Sequence, residues 1–301
     1  MKQKIKMSPQ KRATLISSSV ATLLVLVKLV LGVASGSVAV LASAIDSLLD
    51  MLVSVFNFFA IKKSEEHPDE AYHYGKGKVQ AIAAVIEGTI ITISGLYIIY
   101  EAIKKMSKGT ETTLLTPSIV AMTFSIVITY LLVKYLLKVA RETNNLVIKA
   151  DALHYKTDLW SNAAVLVALG LVYMTGLDAI DALFGLGIGL YIIYSAYAII
   201  HEGVEILLDR ALDTEMVAEI GEIIAKHPEV GSYHWLKTRT DGSTNFVEFH
   251  MVLRPNILLL DAHRIADQIE EKSFLLEKKN NWLISPHFDP YDDEYMNEAM
   301  L

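Results

Sequence analysis

The sequence contains no cysteine, and this absence excludes two classes of structure. Disulfide bonds and metal sites built on thiolates both need the cysteine sulfur, so neither can form. Any metal ion that the chain binds must therefore be held by histidine, aspartate or glutamate. The chain also lacks a G-x-x-x-x-G-K-[ST] sequence, which argues against a pump driven by ATP hydrolysis.

Charged residues are less frequent in the first two thirds of the chain than in the last 90 residues. Of the 301 residues, 52% are hydrophobic, and the mean hydropathy of +0.37 is unusually high for a soluble domain of this size. Because 20% of the residues are nevertheless charged, the charge must be segregated. This asymmetry predicts a membrane domain over residues 1–210 and a soluble domain over residues 211–301.

Long apolar runs in the first domain predict six membrane-spanning helices, since one span needs about 20 predominantly apolar residues. The runs lie near residues 13–34, 38–61, 80–103, 115–138, 147–173 and 178–200. Lys and Arg cluster in the N-terminal arm and after the second and fourth runs, whereas the turns at 34–37 and 175–177 have none. Only the middle outer loop, with Lys104, Lys105 and Lys108, is discordant. The charge bias predicts a multi-pass inner-membrane protein with both termini in the cytoplasm.

Two of the apolar runs contain paired ionisable residues, which are costly at bilayer depth and usually functional. The second run carries Asp46 and Asp50, and the fifth carries His154 and Asp158. Each pair is four residues apart and therefore shares one face of its helix. Three carboxylates and one imidazole suit Zn²⁺ in tetrahedral geometry, or alternatively Fe²⁺ or Mn²⁺. A single such residue is as readily structural, and Glu87 in the third run is either structural or a proton site.

The soluble domain begins where the hydrophobic pattern becomes shorter and amphipathic. The segment from Thr214 has helical periodicity, and two alternating runs, YHWLKTRT and TNFVEFHMVL, predict strands around the turn at 241–243. DAHRIADQIEEKSFLL predicts a second helix and NWLISPHFDP a last strand. The order α-β-β-α-β predicts a small two-layer α+β domain. The acidic end of the chain is expected to be solvated.

The six runs, the sequences DSLLD and HYKTD, and the small soluble domain together resemble the cation diffusion facilitator family. The likeness is greatest to its bacterial zinc and ferrous-iron efflux branch and covers nearly the whole chain. It implies a homodimer that exchanges a metal ion for protons, with Asp46, Asp50, His154 and Asp158 as the transport site. It also implies that the soluble domain is cytoplasmic and metallochaperone-like.

The resemblance implies a second metal site in the soluble domain, at the dimer interface. Its matching ligands are His234, His250, His263, His287 and Asp289, and all five are present in this sequence. Taken singly, a surface histidine is more often without a metal than bound to one. The complete set favours the metal interpretation.

The loop between the second and third runs departs from the family pattern. The pattern resembles D-x-x-H-x-x-G-H-G-K, but this chain has Tyr72 and Lys76 where the histidines belong and keeps Asp69. We therefore expect a degenerate loop site that is absent or much weakened, with His73 as a substitute ligand or simply a solvated side chain. The resemblance also implies that Lys78 pairs with Asp209 to hold the dimer near the membrane surface.

The function that these features predict is export of a divalent transition-metal ion by metal–proton antiport, and no enzymatic activity is expected. Zn²⁺ is the first choice, as substrate and as regulator, with Cd²⁺ or Fe²⁺ as co-substrates and Mn²⁺ as a further alternative. A membrane-anchored metal sensor and a passive channel are the rival interpretations. The expected partners are a second copy of the chain, membrane lipid, metal ions and protons, with no nucleic acid.

Overall fold

The computed structural model of the chain describes residues 7–35, 38–108, 116–175 and 179–293. The chain divides into two compact units, Met1–Val204 and Glu205–Leu301. The predicted domain boundary between residues 210 and 211 stays a prediction. Parts of the predicted outer turns and the acidic C-terminal end lie outside the described residues, and so does the side chain of Asp46 within its helix.

Six long helices form the described part of the first unit. They are α1 Pro9–Ser35, α2 Val38–Ser64, α3 Val79–Lys108, α4 Thr116–Thr143, α5 Leu146–Thr175 and α6 Ala179–Leu207. Each contains one of the six predicted spans to within one residue at its ends and runs a few residues beyond it. The predicted helical membrane domain is therefore confirmed.

Length and apolar composition support membrane insertion of these helices. Four stretches in the described part are long and apolar enough to span a bilayer: Pro9–Leu31, Val79–Lys104, Thr123–Thr143 and Ala182–Leu207. Large apolar side chains such as Val30, Ile93 and Leu190 point outward, as expected for contact with lipid. The interior contains fully buried groups such as Leu136 and Ile148.

Close packing of α3 against α6 depends on two glycines. A Cβ atom at Gly189 would lie 2.9 Å from the carbonyl oxygen of Gly95, closer than real Cβ atoms approach. The missing side chains therefore allow the two backbones to meet, as small residues do in membrane helix pairs. This contact fixes α3, which carries Glu87, against α6.

The second unit has the predicted α-β-β-α-β order. Its elements are α7 Thr214–Ala225, β1 Ser232–Thr240, β2 Thr244–Val252, α8 Leu259–Phe274 and β3 Asn281–Asp289. The sheet order is β1-β2-β3, with β1 antiparallel and β3 parallel to β2. A parallel neighbour needs a crossover connection, and α8 supplies it between β2 and β3.

The turn between β1 and β2 is stabilised by Asp241. Its Oδ1 atom accepts hydrogen bonds from the backbone N–H groups of Ser243 at 2.9 Å and Thr244 at 2.7 Å. Gly242 has a φ of +93°, which side chains rarely adopt, so the turn requires glycine there. The turn sets the pairing of the strands that carry His234 and His250.

The core of the second unit lies between its helices and one face of the sheet. Val247, Phe249 and Met251 of β2 pack against Ile224 of α7 and Ile265 of α8. Because side chains alternate along a strand, His250 projects from the opposite face. The histidines of the sheet are therefore presented away from the hydrophobic core.

Candidate metal centres

Helices α2 and α5 bring three ionisable side chains together inside the first unit. The Nε2 atom of His154 lies 3.1 Å from Oδ1 of Asp50 and 3.8 Å from Oδ2 of Asp158. One donor atom from each of the three residues lies within 4.8 Å of the others. The side chain of His154 is 11% exposed, that of Asp50 is 23% exposed and that of Asp158 is 37% exposed. The cluster is thus partly enclosed but open enough for an ion to enter.

The spacing of these atoms suits a single small cation. Ligand atoms at about 2.0–2.2 Å from a tetrahedral zinc ion lie roughly 3.3–3.6 Å from each other. The distances of 3.1 Å and 3.8 Å from His154 bracket that range. Small side-chain rotations are enough to place the three atoms around one ion.

The fourth predicted ligand, Asp46, belongs to α2 one turn before Asp50. Its side chain lies outside the described residues, so its place in the cluster stays a prediction. The neighbouring Ser47 is buried and accepts a hydrogen bond from Lys28 Nζ of α1 at 2.7 Å. A positively charged group from α1 thus approaches this part of α2, which the sequence did not reveal.

A second polar cluster lies farther along the same faces of α2 and α5. The amide of Asn57 donates to Glu87 Oε2 at 3.0 Å and to Asp151 Oδ1 at 3.5 Å. Asn57 and Asp151 are 0% exposed and Glu87 is 1% exposed. Glu87 therefore has partners that the sequence analysis did not find. Residue spacing could have indicated these partners. Asn57 follows Asp50 by two helical turns, and Asp151 precedes His154 by about one turn, so each shares a helix face with a proposed metal ligand.

The loop before α3 holds Asp69 in contacts that leave little freedom for a metal ion. Lys76 Nζ lies 2.5 Å from Asp69 Oδ2 and 3.1 Å from Glu66 Oε2. The other oxygen of Asp69 accepts from the backbone N–H groups of Ala71 and Tyr72. The hydrogen bond from Lys76 holds the pKa of Asp69 below its usual value. His73 is exposed, and whether this loop binds metal stays a prediction.

The strands of the second unit place three histidines side by side. His234 of β1 is paired with His250 of β2, which is paired with His287 of β3. The ring centroids are 5.1 Å apart for the first pair and 4.5 Å for the second. Asp289, two residues after His287, lies 2.9 Å from Nδ1 of His250 and 3.6 Å from Nε2 of His234. This arrangement brings together His234, His250 and Asp289, three of the five residues that the resemblance implies as ligands.

A β-bulge between His234 and Lys237 accompanies this row. Trp235 has a φ of +55°, an uncommon conformation for a large residue. The Trp235 ring lies edge-on to His250, with 5.4 Å between the centroids. Such bulges often mark functional sites, and this one lies directly beside the histidine row.

His234 is the most deeply buried member of the row and has an acidic neighbour that the sequence analysis missed. Its side chain is 1% exposed, and neither ring nitrogen makes a hydrogen bond of normal geometry with any described residue. Asp293 Oδ1 lies 3.2 Å from Nε2 of His234, and donor atoms of His234, His250, Asp289 and Asp293 lie within 4.8 Å of one another. The sequence predicts a solvated acidic end, but the Asp293 side chain near its start is only 24% exposed.

His263 does not join this group within the described chain. It lies on α8, is 70% exposed and has its Nε2 atom 3.7 Å from Asp267. His287 is 65% exposed and lies 3.3 Å from the second oxygen of Asp289, at the edge of the cluster. The roles of these two residues in metal binding stay predictions.

The charges proposed to link the dimer lie in different units of the chain. Asp209 has a φ of +59°, and its Oδ1 atom lies 3.4 Å from Arg239 Nη1. Lys78 lies immediately before α3. A pairing between Lys78 and Asp209 stays a prediction.

Comparison with known proteins adds a direct assignment. The family model described as "Cation efflux transmembrane domain" matches residues 14–208, and the one described as "Cation efflux protein, cytoplasmic domain" matches residues 212–291. The cation-efflux pump FieF of Citrobacter koseri is 37% identical over 260 residues, which cover 86% of both chains. The cation-efflux pump FieF of Escherichia coli O127:H6 is 36% identical over the same length and share.

These matches account for both units of the fold. The first unit corresponds to the transmembrane domain of a multi-pass inner-membrane protein. The second unit matches a cytoplasmic domain of cation efflux proteins, and this match supports a homodimer. The chain is a transporter and not an enzyme, and its activity is efflux of divalent metal cations. As the sequence motifs indicated, the chain belongs to the cation diffusion facilitator family.

Proposed function

We propose that this protein exports Zn²⁺ in exchange for protons through Asp46, Asp50, His154 and Asp158. The observation that carries the proposal is the convergence of Asp50, His154 and Asp158 within 4.8 Å between two helices of the membrane unit. Ionisable groups at this depth are costly and are retained chiefly for function. With Asp46, they supply one nitrogen and three oxygen ligands.

Exchange with protons follows from the chemistry of these ligands. A metal ion binds neutral imidazole and ionised carboxylates, so a proton and a metal ion compete for the same nitrogen and oxygen atoms. With both termini in the cytoplasm, metal is loaded from the cytoplasm and displaced by protons on the outer side. Rocking of the helices around the site exposes it to each side in turn.

Zinc is proposed first because a four-ligand site with an imidazole suits its tetrahedral preference. Cd²⁺ and Fe²⁺ are proposed as co-substrates, since carboxylate and imidazole ligands also accept these ions. Mn²⁺ is a weaker candidate because it favours sites made of oxygen alone. Two relatives are named cation-efflux pumps, which agrees with the direction of transport.

The second unit is proposed to sense metal load through His234, His250, His287 and Asp289, with His263 contributing at the interface between two copies. The buried imidazole of His234 supports this role, because an unsatisfied buried polar group costs about 1–3 kcal/mol and a bound ion removes that cost. Zinc bound there stabilises the tight dimer. Pairing of Lys78 with Asp209 is proposed to hold the dimer near the membrane.

Transport by the purified full-length protein in lipid vesicles with an imposed pH gradient tests the proposal. Asp50→Ala is expected to abolish zinc flux, because it removes the carboxylate 3.1 Å from His154. Asp69→Ala is the matched control, since it makes the same change in the loop where Lys76 already binds the carboxylate. Flux in this control is expected to equal that of the wild-type protein.

Two outcomes contradict the proposal in different ways. Normal flux in Asp50→Ala removes the assigned site from the transport pathway. Metal binding without any flux in the wild-type protein favours a membrane-anchored sensor, for which the histidine row of the second unit is sufficient. Relative flux of Zn²⁺, Cd²⁺, Fe²⁺ and Mn²⁺ in one vesicle preparation then decides the order of metals.

A further inference from the structure

Three buried polar side chains of the membrane unit are not among the proposed metal ligands. Asn57 of α2, Glu87 of α3 and Asp151 of α5 meet in the interior, and each is at most 1% exposed. A single amide group connects them, since Asn57 Nδ2 donates to both carboxylates. Two carboxylates therefore share one neutral partner in a region with almost no access to water.

The hydrogen bonds of the cluster are incomplete. Asn57 Oδ1, Glu87 Oε1 and Asp151 Oδ2 are buried and make no hydrogen bond with any residue in the described part of the chain. Buried polar atoms in folded proteins are nearly always paired. Each of the three side chains thus presents one oxygen atom that a cation can satisfy, and the smallest cation available is a proton.

The charges of the cluster also favour a bound proton. Two neighbouring carboxylates in a medium of low polarity cannot both remain ionised without a compensating cation, so one of them holds a proton. The amide of Asn57 suits either state, because its N–H groups donate to an ionised carboxylate and its oxygen accepts from a protonated one. The proton content of the cluster can therefore change without a change in the fold.

The cluster is connected to the metal ligands along α2 and α5. Ser54, one turn after Asp50, makes a 2.8 Å hydrogen bond to the hydroxyl of Tyr155, which lies one turn after Asp151. Asp151 lies about one turn before His154 on α5, and Asn57 links Asp151 to Glu87. A metal ion at His154 therefore favours the ionised form of both carboxylates and drives a proton off.

Few other groups face the cluster. The hydroxyl of Ser17 from α1 and that of Ser54 from α2 lie beside Asp151. On the side of α6, the aliphatic Ile200 packs against Gly88, next to Glu87. Neither adds a charge, so the charge of the metal site is the main influence on the two carboxylates from within the described interior.

We propose that Asn57, Glu87 and Asp151 form a proton-binding site separate from the metal ligands, which releases its proton when metal binds at His154 and takes one up when metal leaves. The balance is simple: the O–H bond of one carboxylic acid breaks as the ion enters, and the proton leaves to solvent. This inference rests on the proposed metal–proton exchange. It adds a second group of residues that binds a proton, besides the metal ligands themselves.

The test counts protons released per zinc ion bound by the full-length protein in lipid nanodiscs, using calorimetry in buffers of different ionisation enthalpy. All proteins carry His250→Ala, which removes the main site of the second unit. Glu87→Gln and Asp151→Asn are each expected to release about one proton fewer per zinc ion than the parent. The double variant is expected to lose no more than either single variant, because the two groups share the proton.

Controls separate proton binding from a structural role. Glu101→Gln makes the same change elsewhere on α3, at an exposed side chain paired with Lys104, and is expected to leave the count unchanged. Glu87→Asp keeps a carboxyl group and is expected to restore the count. If Glu87→Gln does not fold, Asp151→Asn carries the test alone.

The outcomes are distinguishable from failure of the proposed function. An unchanged proton count in the folded variants overturns this inference, even if they are less stable. Loss of zinc binding in folded Glu87→Gln and Asp151→Asn also overturns it, because the cluster is then part of the metal site. If instead the parent binds zinc equally well with and without Asp50→Ala, the proposed transport site itself is wrong.

Discussion

The two candidate metal centres are built from different secondary structure, and this changes how they expose their ligands. In the membrane unit, Asp50, His154 and Asp158 lie on two helices and are 11–37% exposed. In the second unit, His234 and Asp289 lie on strands and are 1% and 7% exposed. Two groups of the strand cluster are thus almost fully buried, although His250 and Asp293 are each 24% exposed, whereas none of the three described side chains of the helical cluster is less than 11% exposed.

This difference agrees with two different tasks. A transport site must release its ion on every cycle, so moderate enclosure and side chains that can rotate are useful. A sensing site must hold its ion while the metal load persists, and a ligand fixed by strand pairing and burial suits that role. The comparison predicts that changes at the helical site act on flux and selectivity, and that changes at the strand site act on retention.

Among the changes that test this comparison, the largest effect on zinc flux is expected from His154→Asp. This change makes the membrane site entirely of oxygen ligands, which suit Mn²⁺ better than Zn²⁺. Loss of groups that only support a metal ligand costs about 10–100-fold, so loss of the imidazole itself is expected to lower zinc flux at limiting metal by about a hundredfold. Vesicle transport of both ions in the same preparation measures the ratio.

The matched control is His67→Asp, the same substitution in the exposed loop after α2. Its flux ratio of zinc to manganese is expected to remain that of the wild-type protein. A His154→Asp protein that keeps its zinc preference contradicts the comparison, because the imidazole is then not what selects the ion.

A smaller effect is expected at Asp293, the residue that completes the strand cluster. Asp293→Ala removes an oxygen atom 3.2 Å from His234 and is expected to weaken zinc binding by about tenfold. The measurement is competition with a fluorescent chelator, in full-length protein that carries Asp50→Ala. Transport by Asp293→Ala in an otherwise wild-type protein is expected to continue at saturating zinc.

Two variants make this test specific. Asp292→Ala removes the same charge from the adjacent residue, whose carboxylate binds the hydroxyl of Ser232 and lies 3.9 Å from His234. It is expected to change zinc affinity little. His263→Ala is also expected to have less effect than Asp293→Ala in protein kept monomeric by dilution, because His263 lies outside the cluster within one chain. Equal losses in all three variants contradict a direct role for Asp293.

Sequence alone revealed the helical centre more completely than the strand centre. Ligands four residues apart on a helix are neighbours whatever the rest of the chain does, so Asp50, His154 and Asp158 were visible from spacing. Asp293 meets His234 only because β3 returns parallel to β2 and carries the chain past β1. Nothing in the local pattern of the acidic end contains that information.

The same reason explains why the partners of Glu87 were missed. Its contacts with Asn57 and Asp151 join three helices, and their relative rotation is set by packing, such as the close approach of Gly95 and Gly189 between α3 and α6. The number and order of helices and strands could be predicted from hydrophobic periodicity and turn residues alone. The hydrogen bonds between helices could be found only from the tertiary structure.

The smallest effect on metal binding is expected in the loop before α3. Changes there test whether a third metal centre can be restored. Lys76 now occupies the position beside Asp69 that a metal ion would take, with 2.5 Å between Nζ and Oδ2. Removing Lys76 raises the pKa of Asp69 toward its ordinary value, at which the carboxylate is still ionised at neutral pH and free to bind metal. The double change Tyr72→His and Lys76→His supplies the two missing imidazoles.

In protein that also carries Asp50→Ala and His250→Ala, this double variant is expected to gain about one zinc ion per subunit. Atomic absorption after dialysis measures the stoichiometry. Lys63→His is the matched control, because it replaces another lysine that contacts Glu66, 2.7 Å away, without adding a ligand beside Asp69. Zinc already present in the unaltered loop, and lost with Asp69→Ala, contradicts the degenerate assignment. It also means that Lys76 yields its place to a metal ion, so that the loop is a third metal centre of the chain.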